Sequence, residues 1–116
     1  MSARRIDLSL VVPVFNGAET IKTVVSHVLR VFHEHSIEIV LVNDGSSDHS
    51  DIVCRNLASQ FPGMIQFLNL ARNFGEHHAV LAGLAVASGD AVAVLDDDGQ
   101  HPAEEALRMW RTLRTT

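Results

Sequence analysis

Ala91-Val92-Ala93-Val94-Leu95-Asp96-Asp97-Asp98-Gly99-Gln100-His101-Pro102 is the stretch that decides how this chain folds. Five small or branched apolar residues, bounded by Gly89-Asp90, read as a strand buried on both faces. The run stops abruptly at three consecutive carboxylates. Open α/β sheets bind their ligands beyond the carboxyl ends of the strands, where these acids stand. Like charges at that density call for a cation. Mg²⁺ and Mn²⁺ are hard, oxygen-seeking ions that commonly bridge to substrate phosphates. Taken alone, the segment reads equally well as a solvated acidic turn with a helix cap.

Apolar runs alternate with helix-period segments on the amino-terminal side of that strand. Leu8 to Val14 reads as a first strand. Ile21, Val24, Val25, Val28, Leu29 and Phe32, within residues 18 to 33, form one stripe of an amphipathic helix. Ile37 to Val42 is a second strand, and Cys54, Leu57, Ala58 and Phe61 mark a helix stopped by Pro62-Gly63. Met64 to Leu70 is a third strand, followed by a stripe of Val80, Gly83, Leu84 and Ala87 ending at Gly89. Ala106, Met109, Trp110 and Leu113 mark a last helix, which starts at Pro102 with acids near the positive end of its dipole. Four βα units in a row predict an α/β fold with a mainly parallel, helix-covered sheet and right-handed crossovers.

Composition narrows the function classes. The 116 residues suit one domain, 1–116, and 47% hydrophobic content supports a real core. A net charge of −5, from 14 acids against 9 bases, argues against a general nucleic-acid binder. The single cysteine, Cys54, sits in an apolar helical pattern and reads as a small buried hydrophobe. No apolar stretch approaches the ~20 residues that span a bilayer, and no signal peptide is read at the N-terminus.

In a parallel sheet the loops after the strands share one edge. Here they are Pro13-Val14-Phe15-Asn16-Gly17-Ala18-Glu19, Asn43-Asp44-Gly45-Ser46-Ser47-Asp48, Ala71-Arg72-Asn73-Phe74-Gly75-Glu76, and the acidic run. Together they offer amides near helix starts, an Arg for phosphate, an aromatic for base stacking and carboxylates for a metal. Those are the needs of a nucleoside diphosphate site. Each piece alone also reads as ordinary turn, cap or core chemistry. A dinucleotide fingerprint is excluded because the first loop holds only Gly17. An EF-hand centred on Gly99 would put Val94 at its first ligand position. Of the seven histidines, His27, His33, His35, His49, His77 and His78 form no zinc pattern. His101 differs only in sharing the acidic loop, within reach of substrate phosphate or metal-bound water.

The segments Val11-Val12-Pro13-Val14-Phe15-Asn16, Val42-Asn43-Asp44-Gly45-Ser46-Ser47-Asp48, Ala71-Arg72-Asn73-Phe74-Gly75, Ala87-Ser88-Gly89-Asp90 and Asp96-Asp97-Asp98-Gly99-Gln100-His101-Pro102, in this order, resemble family 2 glycosyltransferases. The likeness is greatest to the polyprenyl-phosphate glycosyltransferases, such as dolichol-phosphate mannose synthase and bacterial undecaprenyl-phosphate sugar transferases, and covers about residues 7 to 110. The resemblance implies an enzyme with a GT-A fold, here stopping after four βα units, a nucleotide-diphosphate sugar donor, and Mg²⁺ or Mn²⁺. Matched position by position, it implies that Pro13, Phe15 and Glu19 line the nucleotide pocket and that Asp44 recognises the base. Arg72 would approach the donor. Asp96, Asp98 and Gln100 would hold the metal, Asp96 and Asp98 as the catalytic pair, with Asp97 beside them in the nucleotide site. Inverting transfer to a polyprenyl phosphate, a part in cell-wall biogenesis, and a place at the cytoplasmic face of the membrane follow from the same likeness.

Two departures stand out. Gly99 occupies a position where the family usually has Leu. The family's acceptor-side acid, basic phosphate-binding segment and membrane helices lie beyond what these 116 residues contain. The expectation is therefore an N-terminal, donor-binding portion, able at most to hold nucleotide sugar and metal. The alternative is a catalytically inactive α/β nucleotide-binding or interaction module. A phosphotransfer receiver is disfavoured, since no Lys lies in a late strand. An apolar sheet edge or helix face left open at this point is one that a second copy could cover, giving a homo-oligomer.

Overall fold

The computed structural model describes residues 5–99 and 102–114. Eight elements alternate: β1 (Leu8–Val14), α1 (Ile21–Val31), β2 (Ile37–Asn43), α2 (Ser50–Gln60), β3 (Ile65–Asn69), α3 (Glu76–Val86), β4 (Ala91–Val94) and α4 (Ala103–Arg114). All strand pairs are parallel, in the order β3-β2-β1-β4. The α/β expectation holds.

β1 and β2 sit in the middle of the sheet and are buried along their whole length, as continuous apolar runs demand. Side-chain alternation sends Leu8, Leu10, Val12 and Val14 to one face, where they meet α1, α2 and α4 through Val25, Val28, Phe32, Cys54, Leu57 and Trp110. Val11, Val40 and Val42 face the other way and meet Ala79 of α3. Cys54 is fully buried, and that burial pushes its thiol up to about 12.

Three expectations are corrected. β4 is not buried on both faces. Paired only with β1 at the sheet margin, it leaves Val92 41% and Val94 45% exposed. They lie in register with Ser9 and Val11, on the α3 side, and α3 sits over β1 and β2 instead. The α3 stripe is also mis-phased. Ala79 and Gly83 are buried while Leu81 and Leu84 are exposed. A Cβ on Gly83 would come 2.5 Å from Val11 Cγ1, so the helix rides on its small residues to approach the sheet. In α4, Ala103 and Trp110 are buried, but Met109 and Leu113 of the expected stripe are exposed.

Candidate functional site

Four loops meet at the carboxyl edge of the sheet, and hydrogen bonds lace them into one body. The loop between β1 and α1 is the hub. Asn16 takes a left-handed φ of 52°, which Asn tolerates better than most residues. Its amide donates to Ser46 Oγ at 2.9 Å, and its Oδ1 accepts from the Ser47 amide at 2.8 Å. The Gly17 amide donates to Ser50 Oγ and the Ala18 amide to Asp48 Oδ2. Burial works to raise the Asp48 carboxyl, but hydrogen bonds from Ser50 and Ala18 hold it below its ordinary value.

Asp44, at the end of β2, is 3% exposed. Its Oδ1 accepts from the Phe74 amide at 2.8 Å and its Oδ2 from the Gly75 amide at 3.1 Å. Its carbonyl accepts from Asn73 Nδ2. The carboxylate expected at the base thus also holds the loop between β3 and α3. Arg72 is exposed, and its guanidinium lies 4.6 Å from the centre of the Phe74 ring.

Asp97 ties the acidic run to the hub. Its Oδ2 accepts from the Phe15 amide at 2.9 Å, and its carbonyl accepts from Thr20 Oγ1 at 2.6 Å. Burial, together with neighbouring Asp98 and Asp96, raises its carboxyl above the ordinary value, opposed by the Phe15 bond. Asp96 is half-buried and Asp98 exposed. Gln100 and His101 lie outside the described residues.

A cleft of about 370 Å³ opens among these loops, lined by Pro13, Val14, Phe15, Asp44, Asn73, Gly75, Glu76 and Asp97. It gathers four of the six residues expected at a nucleotide: Pro13, Phe15, Asp44 and Asp97. Glu19 is placed elsewhere. With Asp98, Thr20, Thr23 and His27 it rims a second cavity of about 310 Å³, floored by Val24, Val28, Leu95 and Ala103. The first cleft carries three carboxylates, Asp44, Glu76 and Asp97, and no Lys or Arg. An anionic diphosphate there requires a cation. Among the described residues no three His, Cys, Asp or Glu side chains converge as a cage for one. Of the residues expected to hold it, Asp98 lines the second cavity and Asp96 lines neither, so an ion there would be held by one or two carboxylates and completed by substrate phosphate, the usual manner of Mg²⁺.

Sequence reasoning missed the hub's Asn16, Ser46, Ser50 and Thr20. The Asn16-Gly17 dipeptide is a turn signal that could have found the first. His33 and His49 are exposed surface groups, whereas His35 is half-buried and packs edge-on against Trp110. His27 Nε2 pairs with Glu104 at 2.7 Å, while His77 and His78 are exposed.

Known proteins resemble this chain in sequence and in fold. The family model described as Glycosyl transferase family 2 matches residues 9–116. The bactoprenol glucosyl transferase of Shigella phage SfV is 45% identical over 100 residues, covering 84% of this chain and 32% of that protein. The undecaprenyl-phosphate 4-deoxy-4-formamido-L-arabinose transferase of Photorhabdus laumondii subsp. laumondii is 35% identical over 107 residues, 90% of this chain and 33% of that protein. The chain thus spans about a third of the length of these curated relatives. A mannosyltransferase from Pyrobaculum calidifontis, solved with GDP-Man and Mn²⁺, superposes with a TM-score of 0.72 at 23% identity, over 82% of this chain and 28% of its own. At that identity the likeness is one of fold, that of the GT-A glycosyltransferases.

Proposed function

The chain belongs to glycosyl transferase family 2, and we propose that residues 1–116 form the donor-binding portion of an enzyme that moves a sugar from a nucleotide-sugar to a polyprenyl phosphate. Support for the donor comes from the cleft that unites Pro13, Phe15, Asp44 and Asp97. Support for the acceptor comes from the two relatives, which are named as bactoprenol and undecaprenyl-phosphate transferases.

In this reading Phe15, 52% exposed at the cleft rim, offers its ring to the base. Asp44 lines the cleft and would meet the base edge, Arg72 would approach the donor, and Glu19 would reach it only from the neighbouring cavity. Asp96, Asp98 and Gln100 would hold Mg²⁺ or Mn²⁺. When bound, the ion supplies neutralisation of the charge growing on the departing diphosphate. The acceptor phosphate is already anionic and attacks the anomeric carbon from the opposite side, which inverts it. Among the described residues no helix is long and apolar enough to cross a membrane. A second copy of the chain is the partner proposed for the apolar margin at β4.

The observation that carries the reading is the acidic cleft without a cationic side chain, a site that takes a nucleotide diphosphate only with a metal. Calorimetric titration of UDP and of GDP tests it. Heat of binding is expected with Mn²⁺ present, for at least one nucleotide, and Asp98→Ala abolishes the dependence on metal. Absence of heat for both nucleotides, with and without Mn²⁺, overturns it in favour of a non-catalytic α/β module.

A further inference from the structure

Asp97 is gripped twice by one loop. Its side chain accepts from the Phe15 amide and its carbonyl accepts from the Thr20 hydroxyl, across 82 and 77 residues of sequence. Thr20 is the N-cap of α1, a position where a hydroxyl ordinarily accepts from the first turn of its own helix. It makes no such cap bond. Its hydroxyl reaches Asp97 at 2.6 Å instead, with a longer contact to the Gly17 carbonyl at 3.3 Å. Gly17 supplies the third observation. A Cβ built there would stand 2.8 Å from Asp97 Oδ2 and 3.2 Å from its Cγ. A side chain there would push the carboxylate off its bond to the Phe15 amide.

We infer that Asp97 is a positioning residue that locks the loop between β1 and α1 onto the acidic run, so that nucleotide and metal bind as one linked event. The inference rests on the donor-site reading above and changes the part Asp97 plays in it. Phe15 stands on the nucleotide side of the lock. Asp96 and Asp98, the immediate neighbours of Asp97, stand on the metal side. A ligand that orders either side spares the other the cost of ordering, and linkage makes that effect reciprocal.

Two substitutions separate this role from that of a charge or a metal ligand. Asp97→Asn keeps an oxygen that accepts from the Phe15 amide but removes the negative charge; Asp97→Ala removes both. In wild type and Asp97→Asn the gain in nucleotide affinity on adding Mn²⁺ should agree within about twofold, while in Asp97→Ala it should shrink by about tenfold. Amide hydrogen exchange at Phe15, read by NMR without any ligand, should quicken in Asp97→Ala and not in Asp97→Asn. Thr20→Val cuts the second arm and should reproduce part of the loss, with folding checked by the rest of the same spectra. If Asp97→Asn is as damaging as Asp97→Ala, the residue acts through charge and the inference fails. Unchanged coupling and unchanged Phe15 exchange in Asp97→Ala also sink it. Should the wild type bind no nucleotide, the donor-site reading fails and the coupling with it, while Phe15 exchange still decides whether the lock exists.

Discussion

Asp44 and Gly45 show how much a pair of residues settles at this site. Asp44 turns its carboxylate onto the amides of Phe74 and Gly75, and Gly45 turns the chain beneath them with a φ of +64°. That conformation costs a residue with a Cβ about 1–2 kcal/mol. Here the Cβ would also run into the backbone of Arg72 and Asn73. Gly45→Ala should therefore lower unfolding free energy by at least about 2 kcal/mol, measured by urea denaturation. It should weaken nucleotide binding as well, because the displaced loop carries Asn73 and Gly75 of the cleft. Unaltered stability would show that the two loops slide apart at little cost. The Asp-Gly-Ser-Ser composition made a turn legible in the sequence. Its partner was not legible, because the loop it grips lies some 30 residues away and no local pattern encodes that pairing.

Elements were legible in proportion to how well periodicity reports burial. β1 has the bounds its apolar run predicts, β2 gains Asn43, and β3 loses one residue at each end. Periodicity failed for β4 and α3, where neighbours and close approach decide what is covered. The placing of β4 depends on Glu38 of β2, a 3% exposed carboxylate. It accepts from Ser9 Oγ at 2.6 Å, the Ser88 amide at 2.6 Å and Gln66 Nε2 at 3.1 Å, and Ser9 Oγ in turn accepts from the Gly89 amide. These bonds fix the segment that leads into β4. Burial alone would raise the Glu38 carboxyl, yet the hydrogen bonds from Ser9, Ser88 and Gln66 outweigh it and hold the group below its ordinary 4.5. A carboxyl depressed in the folded state contributes stability that is complete above the unfolded value and lost as pH falls through the folded one. Stability should thus decline below pH 4.5 in wild type. Glu38→Gln should cost about 1–3 kcal/mol at pH 7 and flatten that acid limb, seen as denaturant midpoints between neutral and acid pH. A variant with the same acid slope as wild type would remove Glu38 from the account.

At the scale of the molecule, helices cover the sheet unevenly, and the bare part is one continuous margin. The groove beside it is lined by Ala91 to Leu95 of the β4 segment and by Ala106, Met109, Trp110 and Leu113 of α4. β4 carries no Lys, Pro or bulge of the kind that guards an edge strand. α4 begins beyond the acidic run and travels back along β4, since Trp110 packs against Phe32 and His35 just ahead of β2. Its Arg111 and Arg114 therefore lie toward the start of β4, and Asp96 to Asp98 lie past its end. Two copies joined by antiparallel β4 edges would set the arginines of each against the acids of the other while burying Val92, Val94, Met109 and Leu113. That complementarity favours a second copy as the occupant, and it predicts a two-fold dimer whose association weakens as salt screens the charges. Sedimentation equilibrium across concentration and ionic strength should show it, and Val94→Lys should raise the dissociation constant at least about tenfold by placing a charge in the seam. A monomer at every concentration would rule the dimer out.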